Sequence, residues 1–248
     1  MSRITKVLKG TVLPTASMLV IAACSSSDPA PAGGPPPPPP PPTTATFEVT
    51  VSNLTNAQPL SPVAVVAHTF GYQAFTVGTT ATPGLEVLAE AGDNGDFLDE
   101  ADNHMVTLLS TSGAAPIGPA GSETISIEID LDTLPDAEIS LATMLVNTND
   151  AITGVNAQAV GDMALGDSVT LRTIAYDAGT EANTESAQTI PGPAAGGEGF
   201  NAARDDVNDF VTMHTGVVTA DDGLTGSGLT EAHRFDNPVM QVTLTRTQ

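Results

Sequence analysis

The sequence predicts an all-β fold, an antiparallel β-sandwich with one or two short helices. Three observations carry the prediction. Short segments alternate apolar and polar residues with period 2, or run apolar without a break. Clusters rich in Gly, Pro, Asn and Asp separate them. Helical periodicity is scarce, and seven or more short strands with such turns form two packed sheets.

The elements follow in chain order. Residues 46–54 (TFEVTVSNL) place Phe47, Val49 and Val51 on one face, which predicts a half-buried strand. Residues 62–68 (PVAVVAH) are apolar more continuously and predict a second. Residues 83–92 (PGLEVLAEAG) predict a helix: Leu85, Leu88 and Ala89 share a face, and Gly92 can end it. Residues 96–105 (DFLDEADNHM) predict a further short helical turn. Residues 123–131 (ETISIEIDL) alternate through Ile125, Ile127 and Ile129. Residues 139–146 (ISLATMLV) read as a central strand, and residues 168–176 (SVTLRTIAY), 207–216 (VNDFVTMHTG) and 239–247 (VMQVTLTRT) as three more. Residues 191–199 (PGPAAGGEG) read as a long loop, and no internal repeat is present.

The N-terminus has its own organisation. Arg3, Lys6 and Lys9 precede a short apolar run that ends in Ala22, Ala23 and Cys24. A basic head before a short apolar stretch is the pattern of a secretory signal, here residues 1–23, and the run is too short to span a bilayer as a helix. The residues around Cys24 resemble a bacterial lipobox, which implies cleavage before Cys24 and lipidation of its thiol. Cys24 is the one cysteine, so no disulfide within the chain can hold the fold. Residues 24–44 form a linker with eight consecutive prolines, expected as a polyproline II stalk roughly 25 Å long. Ser25 after the cysteine matches the lipoprotein pattern sorted to the outer membrane, with the face undetermined. Residues 45–248 are enough for one domain.

Beyond residue 23 four arginines and no lysine face all 29 carboxylates, so this part is more negative than the −22 of the whole chain. Such a surface repels nucleic acid and anionic lipid, and offers oxygen ligands to divalent cations. Most of its carboxylates are solvated. Asp177, Glu181 and Glu185 stand apart because they follow the end of an apolar strand. Were that strand to continue, Asp177 and Glu181 would lie about 13 Å apart at ~3.3 Å per residue. Two ligands of one Ca²⁺ lie at most ~5 Å apart, so the chain must turn between them, and Gly179 is where a turn is least strained. Residues 147–150 (NTND) likewise end a strand in oxygen donors. If the two strand ends share one edge, Asp150, Asp177 and Glu181 converge. All-oxygen ligation favours Ca²⁺ over zinc or copper; the competing reading is a pair of solvated turns.

Several stretches carry a resemblance: FEVTVSNLTNAQPLSPV with AVVAH, then GLEVLAEAGD, MLVNTNDAITG, YDAGTEANTE and FDNPVMQVTL. In this order they resemble the spondin N-terminal domain family. The resemblance implies a β-sandwich similar to a C2 domain, with a calcium ion in loops at one end. It also implies the ligand set: Asp150, Asp177, Glu181 and the Ala178 carbonyl. Position 181 is Glu where the animal domains have Asp, which keeps the charge and lengthens the arm, and the cysteines of the animal domains are missing here. Bacterial versions occur as exported lipoproteins.

Other candidates are weaker. Asn183 and Glu185 read as caps of the acidic loop, or as further ligands. Residues 91–102 lack the register of an EF-hand. His68, His104, His214 and His233 are scattered and read as structural. Ser227 lacks a nucleophile elbow, and no phosphate loop or dinucleotide fingerprint appears. The expectation is a calcium-binding adhesion or surface-interaction module tethered to the cell envelope, not an enzyme. Its expected partners are a surface protein or polysaccharide, and the membrane through the lipid, with no nucleic acid. Two alternatives are a structural lipoprotein that calcium only stabilises, and a secreted hydrolase with two carboxylates of split pKa.

Overall fold

The computed structural model describes residues 40–203, 207 and 209–248. The chain divides into Met1–Pro41 and Pro42–Gln248; the signal segment, Cys24 and nearly all of the linker lie outside the described residues. Two antiparallel sheets build the second unit. The first has four strands in the order β4-β1-β10-β7: β4 (Ser122–Asp130), β1 (Thr44–Asn53), β10 (Met240–Arg246) and β7 (Ser168–Thr173). The second has six in the order β3-β2-β5-β6-β8-β9: β3 (Thr107–Ser112), β2 (Ala64–His68), β5 (Glu138–Met144), β6 (Ala151–Ala159), β8 (Ala175–Asp177) and β9 (Thr212–Met213).

Burial follows the sequence patterns. In β1 every second residue is buried, so Phe47, Val49 and Val51 face the second sheet and Thr46, Glu48 and Thr50 face outward. Each such apolar side chain contributes roughly 1.5–3 kcal/mol. Ile125, Ile127, Ile129, Val242 and Leu244 complete this wall of the core, and Val65, Ala67, Ile139 and Leu141 oppose it. β2 is buried at every position because its other face is covered too. Helices α1 (Pro83–Ala91) and α2 (Gly95–Asp102) lie there, with Leu85, Leu88, Ala89 and Phe97 packed on Val66, Ala142 and Ile152. The sandwich thus has a third, helical layer. Thr82 caps α1 by accepting from Leu85 N at 3.2 Å, and Gly92, at φ +69°, ends it.

Five elements differ from expectation. β3 and β6 are additional strands. β6 hides from a periodicity scan because it carries Gly154, Asn156 and a bulge where Ala157 takes φ +50°. Gly154 is required by packing, since a Cβ there would stand 2.2 Å from Leu141 O. Residues 168–176 do not form one strand. The chain changes sheets after Thr173, so β7 pairs with β10 and β8 with β6. Among the described residues of 207–216, only Thr212–Met213 is strand. Their remaining hydrogen bonds go to several neighbours: Asp209 N to Gly179 O, Val211 N to Thr79 O, and His214 N to Ala175 O. Helix α2 stops at Asp102, three residues short of the expected turn.

Candidate metal centre

The β6–β8 register brings the two acidic strand ends together. Ala151 pairs with Asp177, so Asp150, one residue before β6, stands beside the C-terminal end of β8. Ala178 N donates to Asp150 O at 3.2 Å. The Asn147–Thr148–Asn149–Asp150 loop is buried throughout. Its polar groups are met locally: Thr148 Oγ1 donates to Leu145 O at 2.6 Å and accepts from Ala151 N at 3.0 Å. Asn147 N donates to Gln58 Oε1 at 3.1 Å.

After β8 the chain turns at Gly179, whose φ is +71°. A Cβ at this position would also lie 2.7 Å from Phe210 O, so two independent constraints demand glycine. The turn aims two backbone donors at one carboxylate oxygen. Asp150 Oδ2 accepts from Thr180 N at 2.9 Å and Glu181 N at 3.2 Å, with Thr180 Oγ1 at 3.4 Å. Asp150 Oδ1, equally buried, has no hydrogen-bond partner. Burial, and then the charge of Asp177, push the Asp150 carboxyl up to about 6, against the hydrogen bonds from Thr180 and Glu181.

The other expected residues sit around this group. Asp177 is half-buried; its Oδ1 accepts from Gly179 N at 2.9 Å and its Oδ2 from Asn183 Nδ2 at 2.5 Å. Glu181 is buried, and its Oε1 accepts from Asn149 Nδ2 at 3.1 Å. Ala178 is buried in the turn between Asp177 and Gly179. Asp150, Asp177, Ala178 and Glu181 thus share one corner of the fold. Among the described residues, however, no group of three or more His, Cys, Asp and Glu side chains is arranged so that it could hold a metal ion. A cation here needs backbone carbonyls or water beside the carboxylates, a mixture Ca²⁺ accepts.

Three residues belong to this corner that spacing did not single out as central. Asn149 links the loops: its Nδ2 also donates to Thr189 Oγ1 at 2.8 Å, and its Oδ1 accepts from Glu185 N at 3.1 Å. Glu185 is 2% exposed and adopts φ +55°. Its Oε1 accepts from Val218 N at 3.1 Å, while its Oε2 is buried with no hydrogen-bond partner. Burial pushes its carboxyl up to about 7 despite that hydrogen bond, and the charge of Asp150 adds to the rise. His214 follows β9; its Nδ1 accepts from Gly216 N at 2.9 Å, and its buried Nε2 has no partner. Burial lowers its pKa and the nearby Asp177 opposes the shift. The signal for Glu185 was present, since it lies in the same acidic stretch. None existed for His214, which only the β8–β9 pairing brings near.

The Spondin_N family model matches residues 52–194, more than half of the chain. The chain belongs to the spondin N-terminal domain family. The matched span contains Asp150, Asp177, Ala178, Glu181 and Glu185, and excludes Cys24 and His214. Membership in the spondin family fits an extracellular or surface module. No curated protein matches the chain.

Proposed function

We propose that this spondin-family protein is a calcium-binding module tethered to the cell envelope, working in adhesion or surface interaction rather than catalysis. The observation that carries the calcium reading is Asp150 Oδ1, a buried carboxylate oxygen with no hydrogen-bond partner beside the charge of Asp177. Burying an unpaired carboxylate oxygen next to a second carboxylate is costly, and a divalent cation between them removes that cost. Asp150, Asp177 and the Ala178 carbonyl supply hard oxygen donors, and Glu181 adds a further carboxylate. Bound calcium neutralises the corner and stiffens the turns at residues 147–150 and 178–181. Those turns are themselves buried, and through Asp177 they hold the exposed Asn183 in place for a surface protein or polysaccharide. Cys24 carries the lipid that holds the chain at the outer membrane. The acidic surface keeps nucleic acid away.

Burial of the corner also favours a second reading, in which calcium only stabilises the fold. The ion then adds RT ln(1 + [Ca²⁺]/Kd), about 2.7 kcal/mol at a hundredfold excess, with no partner involved. Binding of the chain to cell surfaces or polysaccharide in calcium, abolished by chelator, supports adhesion; binding indifferent to calcium leaves the stabilising role alone.

Tyr176 precedes Asp177 and gives a direct test of the site. Terbium placed there emits on tyrosine excitation, and calcium displaces it. Emission that is absent, or unchanged in Asp150→Asn, contradicts the calcium reading. Labelled palmitate incorporated by the chain and lost in Cys24→Ser supports the anchor; incorporation that persists in the variant contradicts it.

A further inference from the structure

β6 has a second functional end. Its nine residues separate Asp150 from Ala159 by roughly 26–30 Å at ~3.3 Å per residue. At this far end the register sets Glu138 opposite both His68 and Ala159. The chain leaves β2 through Thr69, Phe70, Gly71 and Tyr72. Phe70 is 87% exposed, the most exposed aromatic side chain among the described large hydrophobics. Gly71, at φ +112°, turns the loop in open space.

Phe70 and Glu138 together line two adjoining cavities. One of about 450 Å³ also holds Asp136, and one of about 200 Å³ also holds Tyr72. Across Tyr72 lies a third, of about 190 Å³, lined by Glu100 and His104. The Tyr72 ring packs 4.9 Å from His68 and 5.6 Å from His104. No lysine or arginine lines any of the three.

His68, opposite Glu138, has hydrogen-bond partners of its own. His68 Nδ1 donates to Thr69 O at 2.9 Å, and its Nε2 bonds Ser140 Oγ at 2.8 Å. Ser140 Oγ in turn accepts from Ala157 N at 2.9 Å. Glu138 Oε2 lies 3.6 Å from Nδ1, outside that network, and is buried with no hydrogen-bond partner.

An exposed aromatic face beside a carboxylate, in a lining without lysine or arginine, suits a cation. Guanidinium suits it better than ammonium, because a planar group can stack on Phe70 while one of its N–H donors reaches the Glu138 side chain, which is 20% exposed. We propose that the Phe70–Glu138 cleft binds an arginine side chain displayed by a basic partner protein. A second copy of this chain is an unsuitable source, because it carries a charge of −22 and two such surfaces repel. The cleft is independent of the calcium corner and goes beyond that reading.

The test uses the full chain and the peptide acetyl-GGRGG-amide, followed through the backbone amide resonances of Gly71 and Ala157, which line the same cleft, at 150 mM salt. The expected result is saturable binding that weakens at least fivefold in Phe70→Ala and in Glu138→Gln, and at least tenfold when citrulline replaces the arginine. Phe70→Ala removes no charge and, at an exposed site, leaves the melting temperature unchanged. Unaltered affinity in Phe70→Ala means diffuse attraction to an acidic surface and overturns the proposal. Equal binding of the citrulline peptide overturns it in favour of an uncharged ligand. Binding that survives chelator and Asp150→Asn separates this cleft from the calcium corner, whatever the fate of the calcium reading; binding that disappears with calcium overturns it.

Discussion

Asp150 and Glu185 set the behaviour of the metal-free protein. Their carboxyls are pushed up to about 6 and about 7, with burial the larger cause in each. A carboxyl raised above its unfolded value binds its proton more tightly in the folded state. Its stabilisation is therefore complete below the unfolded value, near 4, and is lost as pH rises through 6 to 7. In chelator the melting temperature should fall between pH 4 and 8, and Asp150→Asn should flatten that fall. Saturating calcium, which favours the ionised form, should flatten it in the unmutated chain as well. A fall of equal steepness in all three conditions would assign the effect to the general acidic surface. At this scale the sequence was legible where chemistry and spacing coincide: the chain turns at Gly179 between Asp177 and Glu181, where a turn was expected. It was silent on Asp150 Oδ1, because an orphaned oxygen depends on which donors a folded turn aims at its neighbour.

The elements that position the corner are β5, β6 and β8, and only β5 was read at nearly its full length. β1, β4 and β10 were plain because one face is solvated and the other buried, which writes period 2 into the chain. β2 and β5 are buried on both faces, so their runs are continuous, as expected of central strands. β6 and β8 carry weaker signals. β6 contains a glycine that clears Leu141 and a bulge at Ala157, and the change of sheet after Thr173 leaves no compositional mark. The helical layer was legible as elements and not as a layer, since an apolar helix face does not name what it packs on. That layer should matter for stability. Leu88→Ala removes a fully buried side chain from α1, and urea denaturation should show a loss of about 2–5 kcal/mol. A loss below ~1 kcal/mol would mean that α1 lies loosely on the sheet.

Over the whole molecule, the sandwich separates two sites along β6. The corner at Asp150 gathers carboxylates within a chain of net charge −22. The far end sets Phe70 and Glu138 in the lining of one cleft. On the proposals made above, calcium orders one end and the other engages a partner. The measurement that tests the central claim most directly is calorimetric titration of the chain with calcium, beside the same titration of Asp177→Asn. The account predicts about one ion per chain, a higher melting temperature in calcium than in chelator, and loss of both in the variant. No heat of binding, with identical melts in calcium and chelator, would contradict it and leave the carboxylates of residues 147–150 and 177–185 as a structural turn of the spondin fold.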